Sequence, residues 1–274
     1  MRQDSGNWRA APGPRVPDLT VISSAPEPGA PLQAERNRPA LIKYGKHLRG
    51  LFDRLIASSS LVSNAPVLDM RDFAWTAMLR DHWQVIRDEA VAVALRGAPS
   101  LATISPDHRA IAKIDMWRSF FLWGYGFPIP ENLARCPETQ QLVERIPGLV
   151  SAFFSILAPG THIPDHRGVS KGLITCHLGL IVPQDGDVRM RIGDRIVRWA
   201  EGETLVFDDT YSHEVWNETR GTRVVLLIQF ARPLRQPGKA IAAFFLGCVR
   251  RSAFVQEARR NIDKWNDAIR RLDG

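Results

Sequence analysis

The chain has 274 residues, 45% of them hydrophobic and 24% charged, which suits one large globular domain or one domain with an extra lobe. Lys and Arg outnumber Asp and Glu by 36 to 29, a formal charge of +7. The basic residues are scattered, with modest clusters only at Arg250-Arg251 and Arg259-Arg260, so no basic block interleaved with aromatics marks a nucleic-acid surface, and an acidic small substrate fits the balance equally well.

Residues 1–38 carry Pro12, Pro14, Pro17, Pro26, Pro28 and Pro31 with little apolar periodicity, which predicts a disordered or loosely packed arm. No apolar core preceded by positive charge marks a signal peptide there. A helical lobe is expected over 39–115. In residues 40–58, Leu41, Tyr44, Leu48, Leu51 and Leu55 recur at spacings of three and four. Residues 70–96 repeat the pattern with Phe73, Met78, Trp83, Ile86 and Val91. Aromatics then crowd into Met116–Phe127 until Pro128 and Pro130 break the run. A short helix at Cys136–Ile146 has Glu138 near its start, where a negative charge meets the helix dipole.

From Pro147 to Pro233 short apolar segments are cut by Gly, Pro, Asp and Asn, the texture of an all-β sandwich or barrel. That places a β core at 116–235, with C-terminal helices over 236–274. The longest apolar stretch, around Leu149–Ala158, falls well short of a membrane span. Cys136, Cys176 and Cys248 are odd in number and lack CxxC spacing, so neither a disulfide framework nor a structural zinc site is indicated, and a cytoplasmic setting is expected.

Four of the seven histidines, His162, His166, His177 and His213, fall inside the β region. His166 ends the loop-like PGTHIPDHRG, and His213 follows FDDTYS and opens HEVW. Two imidazoles brought together from distant sequence at one end of a β-barrel suit a mononuclear iron site. Reading NETRG (Asn217–Gly221) as a hairpin loop pairs Trp216 with Thr222 and sets Val215 opposite Arg223. His213, Val215, Arg223 and Val225 would then share one face. An arginine on the otherwise apolar RVVLLIQF requires an anion. That anion is either a carboxylate of the protein, such as Asp208 or Asp209, or a bound dicarboxylate gripped in bidentate fashion.

The run CPETQQLVERIPGLVSAFFSILAPGTHIPDHRG, then HLGLIVP, then WAEGETLVFDDTYSHEVWNETRGTRVVLL resembles the aspartyl/asparaginyl β-hydroxylase family, over roughly Trp117 to Pro233. The resemblance implies a mainly β fold with flanking helices and a double-stranded β-helix (jelly-roll, cupin-like) core. It implies Fe(II) as metal, 2-oxoglutarate as cosubstrate and O2 as oxidant. Its two iron histidines fall on His166 and His213. Most related oxygenases place a carboxylate ligand two residues after the first histidine; here that position is Gly168, as in this family, and water or a neighbouring group would fill the vacancy.

The cosubstrate contacts implied are Ser155, His177 and Arg223. Where the family commonly has an arginine two residues before the HLGL histidine, this chain has Thr175, which can donate a hydrogen bond but no charge; Lys171 or Arg191 would have to compensate. Asp208 and Asp209 fit a supporting role near the histidines, and Trp199 and Trp216 fit packing. The implied activity is hydroxylation of an Asp- or Asn-like carbon in an amino acid or peptide. Hydroxylation of a lipid acyl chain or another small molecule is the alternative, and a non-catalytic cupin-like domain binding a small acid is the rival from another class. Neither a nucleic acid nor a membrane span is implied, and oligomeric state stays open.

Overall fold

The computed structural model of the protein describes residues 50–95, 97–105, 111 and 116–273; the arm expected at 1–38 and the first half of the 40–58 helix lie outside them. In chain order come α1 (50–58), a 3-10 turn at Met70–Asp72, α2 (Thr76–Asp81), α3 (Trp83–Leu95) and α4 (Leu101–Ile104). The aromatic run forms β1 (Trp117–Gly124), followed by β2 (Phe127–Pro128), α5 (Pro130–Leu133) and α6 (Pro137–Val143). Both short helices begin on proline, whose missing N–H costs nothing at that position.

The barrel strands are β3 (Leu149–Leu157), β4 (His162–His166), β5 (Leu173–Ile181), β6 (Asp187–Ile192), β7 (Arg195–Arg198), β8 (Thr204–Phe207), β9 (His213–Glu218) and β10 (Arg223–Ala231). Helices α7 (Gly238–Arg251) and α8 (Ala253–Asp273) close the chain. The strands form a six-stranded sheet, β2-β1-β3-β10-β5-β8, and a four-stranded sheet, β4-β9-β6-β7. Every strand pair is antiparallel. From β3 to β10 the chain passes back and forth between the two sheets, which is the winding of a double-stranded β-helix.

Side chains alternate across a strand, and the two faces of the six-stranded sheet bury into different cores. Outward-facing Phe154, Ile156, Cys176, Leu178, Val206, Leu226 and Ile228 pack with Leu79, Ile86 and Ala90 of the helices and with Leu142 and Val143. Inward-facing Phe153, Leu157, Phe207 and Val225 meet Met190, Ile192 and Val215 of the four-stranded sheet. Because both faces are covered, β3 and β5 read in sequence as unbroken apolar runs rather than alternating ones.

Two expectations change here. The segment around Asn217–Gly221 is not a hairpin: β9 belongs to the four-stranded sheet and β10 to the six-stranded one, so Val215 does not pair with Arg223. The segment is a corner between sheets, and the Asn217 side-chain amide pins it by donating to the carbonyls of Leu157, Ala158 and Gly221. A tight corner of this kind carries the same Asn/Gly signals as a hairpin turn. In α1, Leu51 and Leu55 are 53% and 37% exposed while Ile56 is buried. The helix therefore packs on a different face from its leucine stripe, with Ile56 and Ser59 set against Gly238 at the start of α7.

Candidate active site

His166 ends β4 and His213 opens β9, directly across from it in the ladder. Their rings lie 4.0 Å apart, centroid to centroid, at 52°. Each ring is oriented by its own backbone: His166 Nδ1 bonds the Pro164 carbonyl at 2.8 Å and His213 Nδ1 bonds the Tyr211 carbonyl at 2.9 Å. A carbonyl only accepts, so both Nδ1 atoms carry the proton and both Nε2 atoms keep a free lone pair. Burial, then the facing His213, pushes His166 down to about 4, and burial lowers His213 too. Two neutral, oriented imidazoles are the state a divalent metal requires.

Gly168 has a steric reason to be glycine. A Cβ there would sit 2.0 Å from Asp209 Oδ1, so the Asp209 carboxylate occupies the space that a side chain at 168 would need. The Gly168 N–H donates to the Asp209 carbonyl at 2.7 Å. Asp209 Oδ2 accepts from Thr175 Oγ1 (3.0 Å) and Gln229 Nε2 (3.1 Å), while its Oδ1 is buried without a partner. Burial raises this carboxyl to about 6. Among the described residues no cluster of three or more His, Cys, Asp or Glu side chains gathers round one cation position.

The remaining candidates line the inner face of the six-stranded sheet. On β10, Val225 pairs with Ser155, Leu227 with His177 and Gln229 with Thr175. Paired residues share a face, and so does Arg223 two residues before Val225. The Trp117 indole donates to Ser155 Oγ at 3.0 Å, leaving the serine hydroxyl proton to donate elsewhere. Gly179 allows the chain at 199–201 to cross the sheet closely, since a Cβ there would lie 2.1 Å from the Ala200 carbonyl. That approach sets the Trp199 indole to donate to His177 Nδ1 at 3.2 Å. His177 therefore carries its proton on Nε2, and that buried N–H has no acceptor.

Arg223 is 2% exposed, stacked 4.9 Å from the Trp199 ring, and its Nε and Nη1 are buried without a hydrogen-bond partner. Burial alone pulls this guanidinium down to about 9. The internal ion pair considered from the sequence is not formed: Asp208 pairs with Arg232 and with Lys171, the latter at 2.6 Å, and Asp209 is engaged as described. Both cations considered alongside Thr175 are paired with carboxylates of the protein. Lys171 is held by Asp208, and Arg191 pairs with Asp165 at 2.7 Å and Glu214 at 3.0 Å. His162 lies apart from the pair, bonding Glu214 at 2.6 Å and stacking on Trp216.

Two functional residues were missed. Trp199 does more than pack, because it fixes the His177 tautomer and underlies Arg223; its place after β7 gave no signal, although the Gly of HLGL hints at a crossing chain. Gln229, which shares Asp209 with Thr175, could have been found as the polar residue interrupting the apolar β10.

Comparison with known proteins places these residues in context. A family model described as aspartyl/asparaginyl β-hydroxylase matches residues 80–233. The ornithine lipid ester-linked acyl 2-hydroxylase of Rhizobium tropici is 36% identical over 236 residues, 85% of this chain and 84% of that protein. Human aspartyl/asparaginyl β-hydroxylase is 27% identical over 199 residues, 70% of this chain; the chain spans about a quarter of that relative's length, 26%. A Cupin_2 domain of an XRE family transcriptional regulator from Enterobacter cloacae aligns at 16% identity and a TM-score of 0.29, covering 44% of this chain and 100% of that domain.

Proposed function

Since this chain belongs to the aspartyl/asparaginyl β-hydroxylase family, we propose that it is an Fe(II)- and 2-oxoglutarate-dependent hydroxylase, with iron on Nε2 of His166 and His213. The single observation that carries the cosubstrate assignment is Arg223, a buried guanidinium with unpaired donors. A cation left in that state is costly unless an anion completes it. A dicarboxylate fits the whole set of free donors: Arg223 for the distal carboxylate with the Ser155 hydroxyl beside it, and the His177 Nε2–H reaching toward the ligand from the next strand. Bound iron, 2-oxoglutarate and O2 together supply the oxidising power for C–H hydroxylation, which no side chain here provides.

The protein's own residues set the stage for that chemistry. Pro164 and Tyr211 carbonyls aim the two imidazoles, and Trp199 holds His177 in its donating tautomer. Phe207 packs edge-on to His177 at 4.9 Å and faces His213 at 6.1 Å, keeping water from the space between them. Asp209 Oδ1, which fills the space a side chain at 168 would need, would accept a hydrogen bond from water at the site.

For the substrate, an Asp- or Asn-like residue is the family default. A second reading, the acyl chain of a lipid, is favoured by one observation: the Rhizobium relative named for acyl 2-hydroxylation matches over most of both chains. The setting we propose is cytoplasmic, in keeping with the buried free thiols Cys136 and Cys176. The test is succinate release from 2-oxoglutarate by purified protein with Fe(II), with and without an ester-linked lipid and an Asp-containing peptide. Succinate above the no-enzyme control supports the assignment, and the substrate that increases it names the class. No succinate under any condition, with 2-oxoglutarate still bound, would make this a small-acid-binding domain.

A further inference from the structure

We propose that the face formed by α1 and α7 docks on an anionic lipid bilayer beside the loop that follows His166. A surface helix ordinarily turns its charged side outward and its apolar side in. Helix α7 departs from this rule at Phe244, and of its fourteen residues only Gly238 is buried. Its exposed positions over the first two turns are Lys239, Ala240, Ala243 and Phe244, and Phe244 is 73% exposed. Helix α1 does the same with Leu51 at 53%, Phe52 at 42% and Leu55 at 37%, and Leu61 just beyond it is 63% exposed.

The two helices are joined and lie next to the loop between β4 and β5. Gly238 N–H donates to Ser59 Oγ at 3.1 Å, and Arg235 N–H to the Ser59 carbonyl at 3.0 Å. Asp53 of α1 accepts from the Lys171 N–H at 3.2 Å, and a Cβ on Gly172 would touch Ala242 of α7 at 2.8 Å. Both helices therefore rest on residues 171–172, a few positions after His166.

Charge selects the occupant. On the described part of this face Arg54, Arg235, Lys239 and Arg251 are exposed, and the one acid among residues 50–58 and 235–251 is Asp53, which is half-buried against Lys171. Apolar side chains combined with cations in this way are the composition of a helix lying in a membrane interface. A second copy of the chain would bring like charge against like charge. Nucleic acid would satisfy the cations but leave Phe244 and the leucines unused. Among the described residues no helix is long and apolar enough to cross a membrane, so the contact proposed is peripheral. It rests on the acyl-chain reading above for its purpose, delivering a bilayer-embedded chain to the site.

The test is cosedimentation of the full chain with phosphatidylcholine vesicles made with and without phosphatidylglycerol, which needs no turnover and so can fail while the hydroxylase assignment stands. Binding to the anionic vesicles that weakens with salt is expected. Phe244→Asp should reduce partitioning about tenfold or more, and Lys239→Glu about fivefold; both side chains are exposed, so folding is preserved. A protein that stays in solution with anionic vesicles overturns the proposal, as does equal binding by parent and Phe244→Asp. A dimer that Phe244→Asp dissociates, without vesicle binding, would overturn it by assigning the face to a second copy.

Discussion

Two arginines bracket β10, and both are buried: Arg223 at its first residue is 2% exposed, and Arg232 just past its last is 3% exposed. Their surroundings differ completely. Arg232 donates to the Asp208 carboxylate, to the Lys171 carbonyl at 2.7 Å and to the Ser63 carbonyl at 3.1 Å. Arg223 lies against the face of Trp199, and two of its nitrogens have no partner among the described residues. One end of the strand is a finished structural joint, and the other is a charge whose partner must come from outside. Burial of a charge thus says nothing about function until its hydrogen bonds have been counted.

The largest effect that would sharpen this contrast is at the structural end. Arg232→Met should destabilise the fold by about 3–5 kcal/mol, because the buried Asp208 carboxylate is left with Lys171 alone and the Lys171 and Ser63 carbonyls lose their donor, and a urea midpoint shift reads it. A silent Arg232→Met would break the comparison. At the other end, Arg223→Met should leave the ligand-free protein as stable as before or more stable by about 1–4 kcal/mol, the range seen when buried charges give way to apolar side chains. A loss of stability there would mean that Arg223 has an internal partner after all. Trp199→Phe keeps the ring beneath Arg223 but removes the bond to His177, so 2-oxoglutarate affinity should fall about two- to tenfold, with little change in thermal midpoint.

The remaining effect is in pH. His166 sits at about 4 in the folded protein against an ordinary 6.5. Between those values the unfolded chain binds the proton and the folded one does not, so His166 makes the metal-free protein lose stability as pH falls from about 6.5 to about 4. His166→Gln should flatten that part of the stability profile, measured by thermal melts across the range. An unchanged slope would show that the imidazole is better solvated than its burial indicates.

The winding of the barrel was legible because its strands are short and separated by Gly, Pro and Asp, and the histidine pair because FDDTYSHEVW and PGTHIPDHRG are distinctive. Register across the sheets was not. The Asn217–Gly221 corner imitates a hairpin locally, and only long-range pairing of β9 with β4 and β6 shows that the chain changes sheets. Arg223 still reaches the site side of the molecule, but from the opposite wall to His213. The fate of Thr175 was equally hidden, since its hydroxyl is committed to Asp209, a residue 34 positions away. The leucine stripe of α1 was visible, but its direction was not: periodicity fixes a face and leaves open whether that face meets a core.

What completes Arg223 decides where the cosubstrate binds. Calorimetric titration of 2-oxoglutarate into Mn(II)-loaded protein should show a Kd that rises about ten- to hundredfold in Arg223→Met, the loss of one charge-assisted hydrogen bond worth about 1.5–3 kcal/mol. Equal affinities for parent and variant would contradict it, and the cosubstrate would have to lie elsewhere between the two sheets.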